Sequence, residues 1–132
     1  MTEAAIVIDH KGQPVHWHLP PGRTAVAIPD SRDLWEVLWK HRDRVGAVAH
    51  THPGGGIPLP SKEDLTTFAA CEAALGKRLR WWIVTLDHAR CYAWAGPERL
   101  DYAPCRDADE EPAWIERLRA ESYGLVNGRR AL

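Results

Sequence analysis

At 132 residues, the chain is the size of one compact domain with one core. Its 17 basic and 18 acidic residues nearly cancel, which argues against nucleic acid or an anionic membrane surface as the partner. The three cysteines, Cys71, Cys91 and Cys105, are odd in number and form no CxxC pair, which argues against a disulfide framework and for a reducing compartment.

The start, MTEAAIVID, has neither the basic residues nor the apolar length of a signal peptide. Residues 4 to 8 (AAIVI) read as a buried strand, DHKGQ as a hairpin turn about Gly12, and 14 to 18 as the returning strand. PPGR at 20 to 23 reads as a turn and TAVAI at 24 to 28 as a short strand. Asp30 or Ser31 can cap a helix over 32 to 43, where Leu34, Val37, Leu38 and His41 share a face. VGAVA at 45 to 49 reads as a central strand, and the Gly- and Pro-rich stretch 51 to 60 as a loop. Ser61 is placed to cap a helix over 62 to 76, with Leu65, Phe68, Ala69 and Leu75 as its apolar stripe and Gly76 as its end. Residues 81 to 86 and 90 to 95 read as a hairpin about Asp87–His88–Ala89, and 112 to 122 as an amphipathic helix before a fraying polar end. No run approaches the roughly 20 apolar residues that span a bilayer, so the expectation is a soluble, cytoplasmic protein. The mixture of elements predicts an α/β (α+β) layered domain over 1–132, with a core from about 3 to 104, a C-terminal helix at about 112 to 122, and a mainly antiparallel or mixed sheet. Most of the seven Trp are expected as core or interface anchors.

The stretch with chemical content is His50-Thr51-His52-Pro53, followed after seven residues by Ser61-Lys62-Glu63-Asp64. On an extended chain, residues i and i+2 face the same way, so His50 and His52 project together from the end of the VGAVA strand. Pro53 ends the ladder, and the loop can return Asp64 to them in the first turn of the next helix. Two imidazoles and one carboxylate suit zinc, and three protein ligands leave a fourth position for water, the arrangement of catalytic rather than structural sites. Bound zinc brings the pKa of that water down to about 7. His16-Trp17-His18 has the same spacing with no carboxylate motif after it, and reads as strand surface. Glu63 reads as a first-turn anion favoured by the helix dipole, His88 as a turn residue, and Gly54-Gly55-Gly56 as loop flexibility rather than a phosphate loop. Cys71 sits on a helix without a His nearby in sequence, so it has little support as a nucleophile.

Residues 50 to 64 resemble the signature of the JAMM (MPN-plus or JAB) metalloproteases, H-[ST]-H-P-x7-S-x2-D, at every specified position. Weaker similarity, in the order of elements, extends from about Glu3 to Ala95. The resemblance implies a single JAB/MPN-like domain, a curved mixed sheet flanked by helices with cytidine deaminase-like layering. It implies one zinc ion per chain on His50, His52 and Asp64, with a catalytic water, and a role for Ser61 in stabilising the tetrahedral intermediate. It also implies a zinc peptidase or isopeptidase cutting after the C-terminal tail of a ubiquitin-like or sulfur-carrier-like protein. That protein or its conjugates would be the partner, with E1-like or E2-like proteins beside it.

The family places its general base, a Glu, at the first strand. The carboxylates upstream of the motif are Glu3, Asp9, Asp30, Asp33, Glu36 and Asp43. Glu3 directly precedes AAIVI, the family's position, whereas Glu36 reads as a solvated helix face paired with Lys40. Family members often carry a helix before this Glu, and two residues stand there in this chain. An absent helix, a partner's helix and a longer chain remain open readings. The bacterial RadC-like branch is also similar, through a Glu before a strand, a later HNHPSG and a PS-x2-D. Thr51 stands where that branch has Asn, which leans toward the peptidases. Two further readings stand beside hydrolysis: a non-catalytic zinc-stabilised scaffold and a RadC-like role linked to DNA.

Overall fold

The computed structural model describes residues 3–19, 31–52, 54–108, 110–123, 125–126 and 129–130. The strands β1 (Ala5–Asp9), β2 (Pro14–His18), β3 (Val45–Thr51), β4 (Arg80–Val84), β5 (Ala89–Trp94) and β6 (Tyr102–Pro104) form one sheet in the order β2-β1-β3-β4-β5-β6. The sheet is mixed. Among the described strands, only β3 and β4 run parallel, and the helix between them, α2 (Lys62–Leu75), is the crossover that parallel neighbours require. The other pairs are antiparallel, including β1 against β3.

AAIVI and VGAVA read as apolar runs because helices cover both faces of the central strands. On one face, Val7, Val45, Val48, Trp81 and Ile83 meet side chains of α1 (Ser31–Lys40) and α2, with Leu38 and Phe68 at the centre. Phe68 stacks on Trp81 at 4.3 Å between centroids, an aromatic contact contributing about 0.5–1.5 kcal/mol beyond area burial. On the other face, Ile6, Ile8, Ala47, Ala49 and Val84 meet Trp114, Ile115 and Leu118 of α3 (Trp114–Tyr123). Gly46 is required where the chain crosses the β1–β2 turn, because a Cβ there would lie 2.8 Å from the His10 Cα. Gly76 ends α2 in the left-handed conformation, at φ 71°.

Several boundaries differ from the sequence expectation. The first helix stops at Lys40 rather than near 43, because His41 to Arg44 form turns, in which the His41 and Arg42 amides bond back to the helix end and the Arg44 amide to His41, and lead straight into β3. β3 runs on through Thr51, so the loop starts later than residue 51. β4 ends at Val84, where the Thr85 N–H donates to the His88 carbonyl and closes the turn. β6 has no counterpart in the expectation, since a three-residue edge strand containing a proline shows no periodicity. Beyond α3, β7 (Leu125–Val126) and β8 (Arg129–Arg130) pair where a fraying end was expected. His18, expected on the strand surface, is 4% exposed. The expected turn at 20 to 23, the strand at 24 to 28 and the Asp30 cap lie outside the described residues, as does Pro53. Among the described residues, no helix is long and apolar enough to cross a membrane.

Candidate metal centre

The alternation of β3 decides which side chains reach the site. Val48 and His50 face the α2 side, and His50 packs edge-on against Phe68. Ala47, Ala49 and Thr51 face the α3 side, where Thr51 is fully buried and accepts from the Ala4 N–H at 2.9 Å and the Ser122 hydroxyl at 2.8 Å. His52 lies one residue past the strand. Its N–H donates to the Val84 carbonyl at 2.9 Å, and its own carbonyl accepts from the Tyr123 hydroxyl at 2.7 Å. Burial pushes that hydroxyl up to about 12, which leaves it a donor at neutral pH.

Asp64 arrives through the cap of α2. The Ser61 Oγ accepts from the Asp64 N–H at 3.0 Å, and Asp64 Oδ2 accepts from the Ser61 N–H at 2.8 Å, a reciprocal capping box with Asp in the third position. The box holds the carboxylate against both rings. Asp64 Oδ2 lies 2.9 Å from His52 Nε2, and Oδ1 lies 3.3 Å from His50 Nε2. The two Nε2 atoms are 3.1 Å apart. Burial raises the Asp64 carboxyl, but the hydrogen bonds to His50 and His52 outweigh it and hold the group well below the usual carboxylate range. The bond to Asp64 raises His52 from its ordinary value.

This donor set fits a tetrahedral cation. Ligands about 2.0–2.1 Å from zinc sit about 3.3 Å from one another, close to the 2.9–3.3 Å spacing here. With both Nε2 atoms protonated, two N–H groups would oppose each other at 3.1 Å. A cation would accept a lone pair from each ring and balance the carboxylate.

Glu3 enters by the pairing of β1 with β3. Ala5 is opposite His50 and the Thr51 N–H donates to the Ala4 carbonyl, so Glu3 lies beside the end of the histidine strand. One of its carboxylate oxygens and a ring nitrogen of each of His50 and His52 lie within 4.8 Å of one another. Half-burial raises its carboxyl above the ordinary value, only partly offset by the histidines. The centre thus has two carboxylates with opposite shifts: Asp64 held ionised against the rings, and Glu3 raised by its burial.

The other candidates lie elsewhere. Glu36 is exposed and pairs with Arg32 at 3.3 Å rather than with Lys40. Asp9 binds its own turn through the Lys11 and Gln13 amides, and His88 pairs with Asp87 at 3.0 Å. The Gly56 N–H donates to Asp87 Oδ1 at 2.7 Å, so the glycine loop is tied to the β4–β5 turn. Burial raises the Cys71 thiol, which makes it a poor nucleophile. Sequence reasoning missed Ser122 and Tyr123. They sit about seventy residues from the strand they hold, and no local pattern announces such a contact. The sequence matches no protein-family model and no curated protein.

Proposed function

We propose that the chain is a zinc-dependent peptidase or isopeptidase of JAMM type, hydrolysing the bond after the C-terminal tail of a ubiquitin-like or sulfur-carrier-like protein. The observation that carries this reading is the convergence of His50, His52 and Asp64 at ligand spacing, with a half-buried Glu3 beside them. Zinc held there supplies a Lewis acid for a water and a scissile carbonyl. Glu3 takes the proton of the attacking water and returns it to the leaving nitrogen. Ser61 uses its oxygen to accept from the Asp64 amide, which leaves its hydrogen to donate to the carbonyl oxygen as charge develops. Ile57 and Leu59 stand exposed on the loop between the ligands and offer apolar surface to a protein tail.

The test joins metal analysis with a cleavage assay. Purified protein is expected to hold about one zinc per chain. The Asp64→Ala variant is expected to lose the metal, and Glu3→Gln to keep it yet fail to cut ubiquitin-like or sulfur-carrier-like proteins extended past their tails. Unchanged zinc in Asp64→Ala overturns the ligand assignment, and zinc lost in Glu3→Gln makes Glu3 a ligand rather than the base. Zinc uptake with no cleavage of any such protein leaves a zinc-stabilised scaffold.

A further inference from the structure

The strand ladder that positions the two histidines runs out between them. His50 lies inside β3, flanked by β1 and β4. His52 lies past the last strand residue, and its N–H still reaches Val84. Its carbonyl accepts from the Tyr123 hydroxyl at 2.7 Å. The same hydroxyl lies 3.2 Å from the Gly54 carbonyl, so a single O–H lies between the His52 and Gly54 carbonyls. One residue earlier, the Ser122 hydroxyl donates to Thr51 Oγ1, the side chain between the two histidines. Arg119, a turn back along α3, donates from Nε to the Thr85 carbonyl at 3.0 Å, at the end of the neighbouring strand β4. The last turns of α3 therefore hold the ends of both parallel strands where the metal ligands emerge.

We infer that Tyr123 is a positioning residue for the metal centre, setting zinc affinity by fixing the peptide that carries His52. The inference rests on the zinc reading above and adds to it a residue about sixty positions beyond the last ligand. Tyr123 is 5% exposed, and Tyr123→Phe removes the O–H while keeping the buried ring. Without the hydroxyl, the Cα that bears the His52 ring is held on one side alone, by the N–H bond to Val84, and the backbone there can shift and carry the ring with it. Partners that orient a ligand from outside the coordination sphere typically contribute about 10–100-fold to metal affinity, and a contact acting through the backbone belongs at the lower end.

The experiment titrates zinc into metal-free protein against a chromophoric zinc chelator, for wild type, Tyr123→Phe, Ser122→Ala and Tyr102→Phe. Tyr102 also loses a hydroxyl bond in its variant, to Glu72, but on the edge strand β6 and with no bond to the backbone around His52, and so reports what simple destabilisation does. Zinc affinity about ten-fold weaker in Tyr123→Phe, weaker also in Ser122→Ala, and unchanged in Tyr102→Phe supports the inference. Ser122→Ala keeps the test open if Tyr123→Phe does not fold. Wild-type affinity in whichever of the two folds overturns the inference while the ligand set stands, and so does an equal loss in Tyr102→Phe. A wild type that takes up no zinc overturns the metal reading itself, and this inference with it.

Discussion

Glu72 lies eight residues beyond Asp64 on the same helix and anchors α2 to the sheet. It is 3% exposed and accepts four hydrogen bonds. Oε2 takes the Leu79 N–H at 2.8 Å and the Trp81 Nε1–H at 3.0 Å, while Oε1 takes Arg78 Nη1 at 3.0 Å and the Tyr102 hydroxyl. A leucine here strands the buried Leu79 and Trp81 donors and removes the carboxylate that Arg78 faces, so Glu72→Leu is expected to cost about 3–5 kcal/mol. Glu72→Gln retains one oxygen. Pointed at Leu79 and Trp81, it satisfies both buried donors, and its NH2 can donate to a rotated Tyr102 hydroxyl while the half-exposed Arg78 turns to water. That variant is expected to cost about 1–3 kcal/mol. For a chain of this length, each kcal/mol lowers the melting temperature by roughly 3 °C, so the two variants should fall about 9–15 °C and about 3–9 °C below wild type. Urea unfolding followed by tryptophan fluorescence measures both, with Trp81 a reporter inside the network. A Glu72→Leu protein within about 1 kcal/mol of wild type, or one more stable than Glu72→Gln, would refute the reasoning.

Ser61→Ala is expected to lower stability by only about 0.5–2 kcal/mol, the cost of an N-cap. Under the proposed function the same change lowers turnover by about 10²–10³, and normal turnover with a lowered melting temperature would leave Ser61 a helix cap alone. The His52 contribution in metal-free protein and the stabilisation added by zinc are expected to respond oppositely to pH. His52 is raised above its ordinary 6.5 by Asp64, so that contribution is complete below 6.5 and is lost as pH rises through the higher folded value. Asp64, held low, stays ionised throughout this window. The His52 contribution in metal-free protein, read as the difference from His52→Ala, should therefore be smaller at about pH 8.5 than at about pH 6, since the lowered His16 and His41 act in the opposite sense in both proteins, whereas the stabilisation added by zinc should be larger at the higher pH, because ligation needs unprotonated rings. Melting curves of wild type and His52→Ala, with zinc and with a chelator, check both signs, and parallel pH profiles would show that His52 does not meet the metal.

The amino-acid sequence by itself determined the parts of this protein that depend on short-range periodicity. AAIVI and VGAVA are strands because apolar runs without polar residues suit a sheet covered on both faces. Ser61 and Asp64 cap α2 because a hydroxyl and a carboxylate three residues apart satisfy two orphan amides, and His50 and His52 share a direction because a strand repeats every two residues. The tertiary structure alone decided what meets what. Asp64 reaches the two rings because α2 is the crossover between parallel strands. Glu3 is beside them because β1 pairs with β3, while Glu36 faces solvent and takes Arg32. Thr51, a spacer in the sequence pattern, is a buried junction of β1 and α3. Glu72 and Tyr123 gave no local signal, since a buried hydrogen-bond acceptor or donor is defined by partners brought together only when the sheet and helices close on one another.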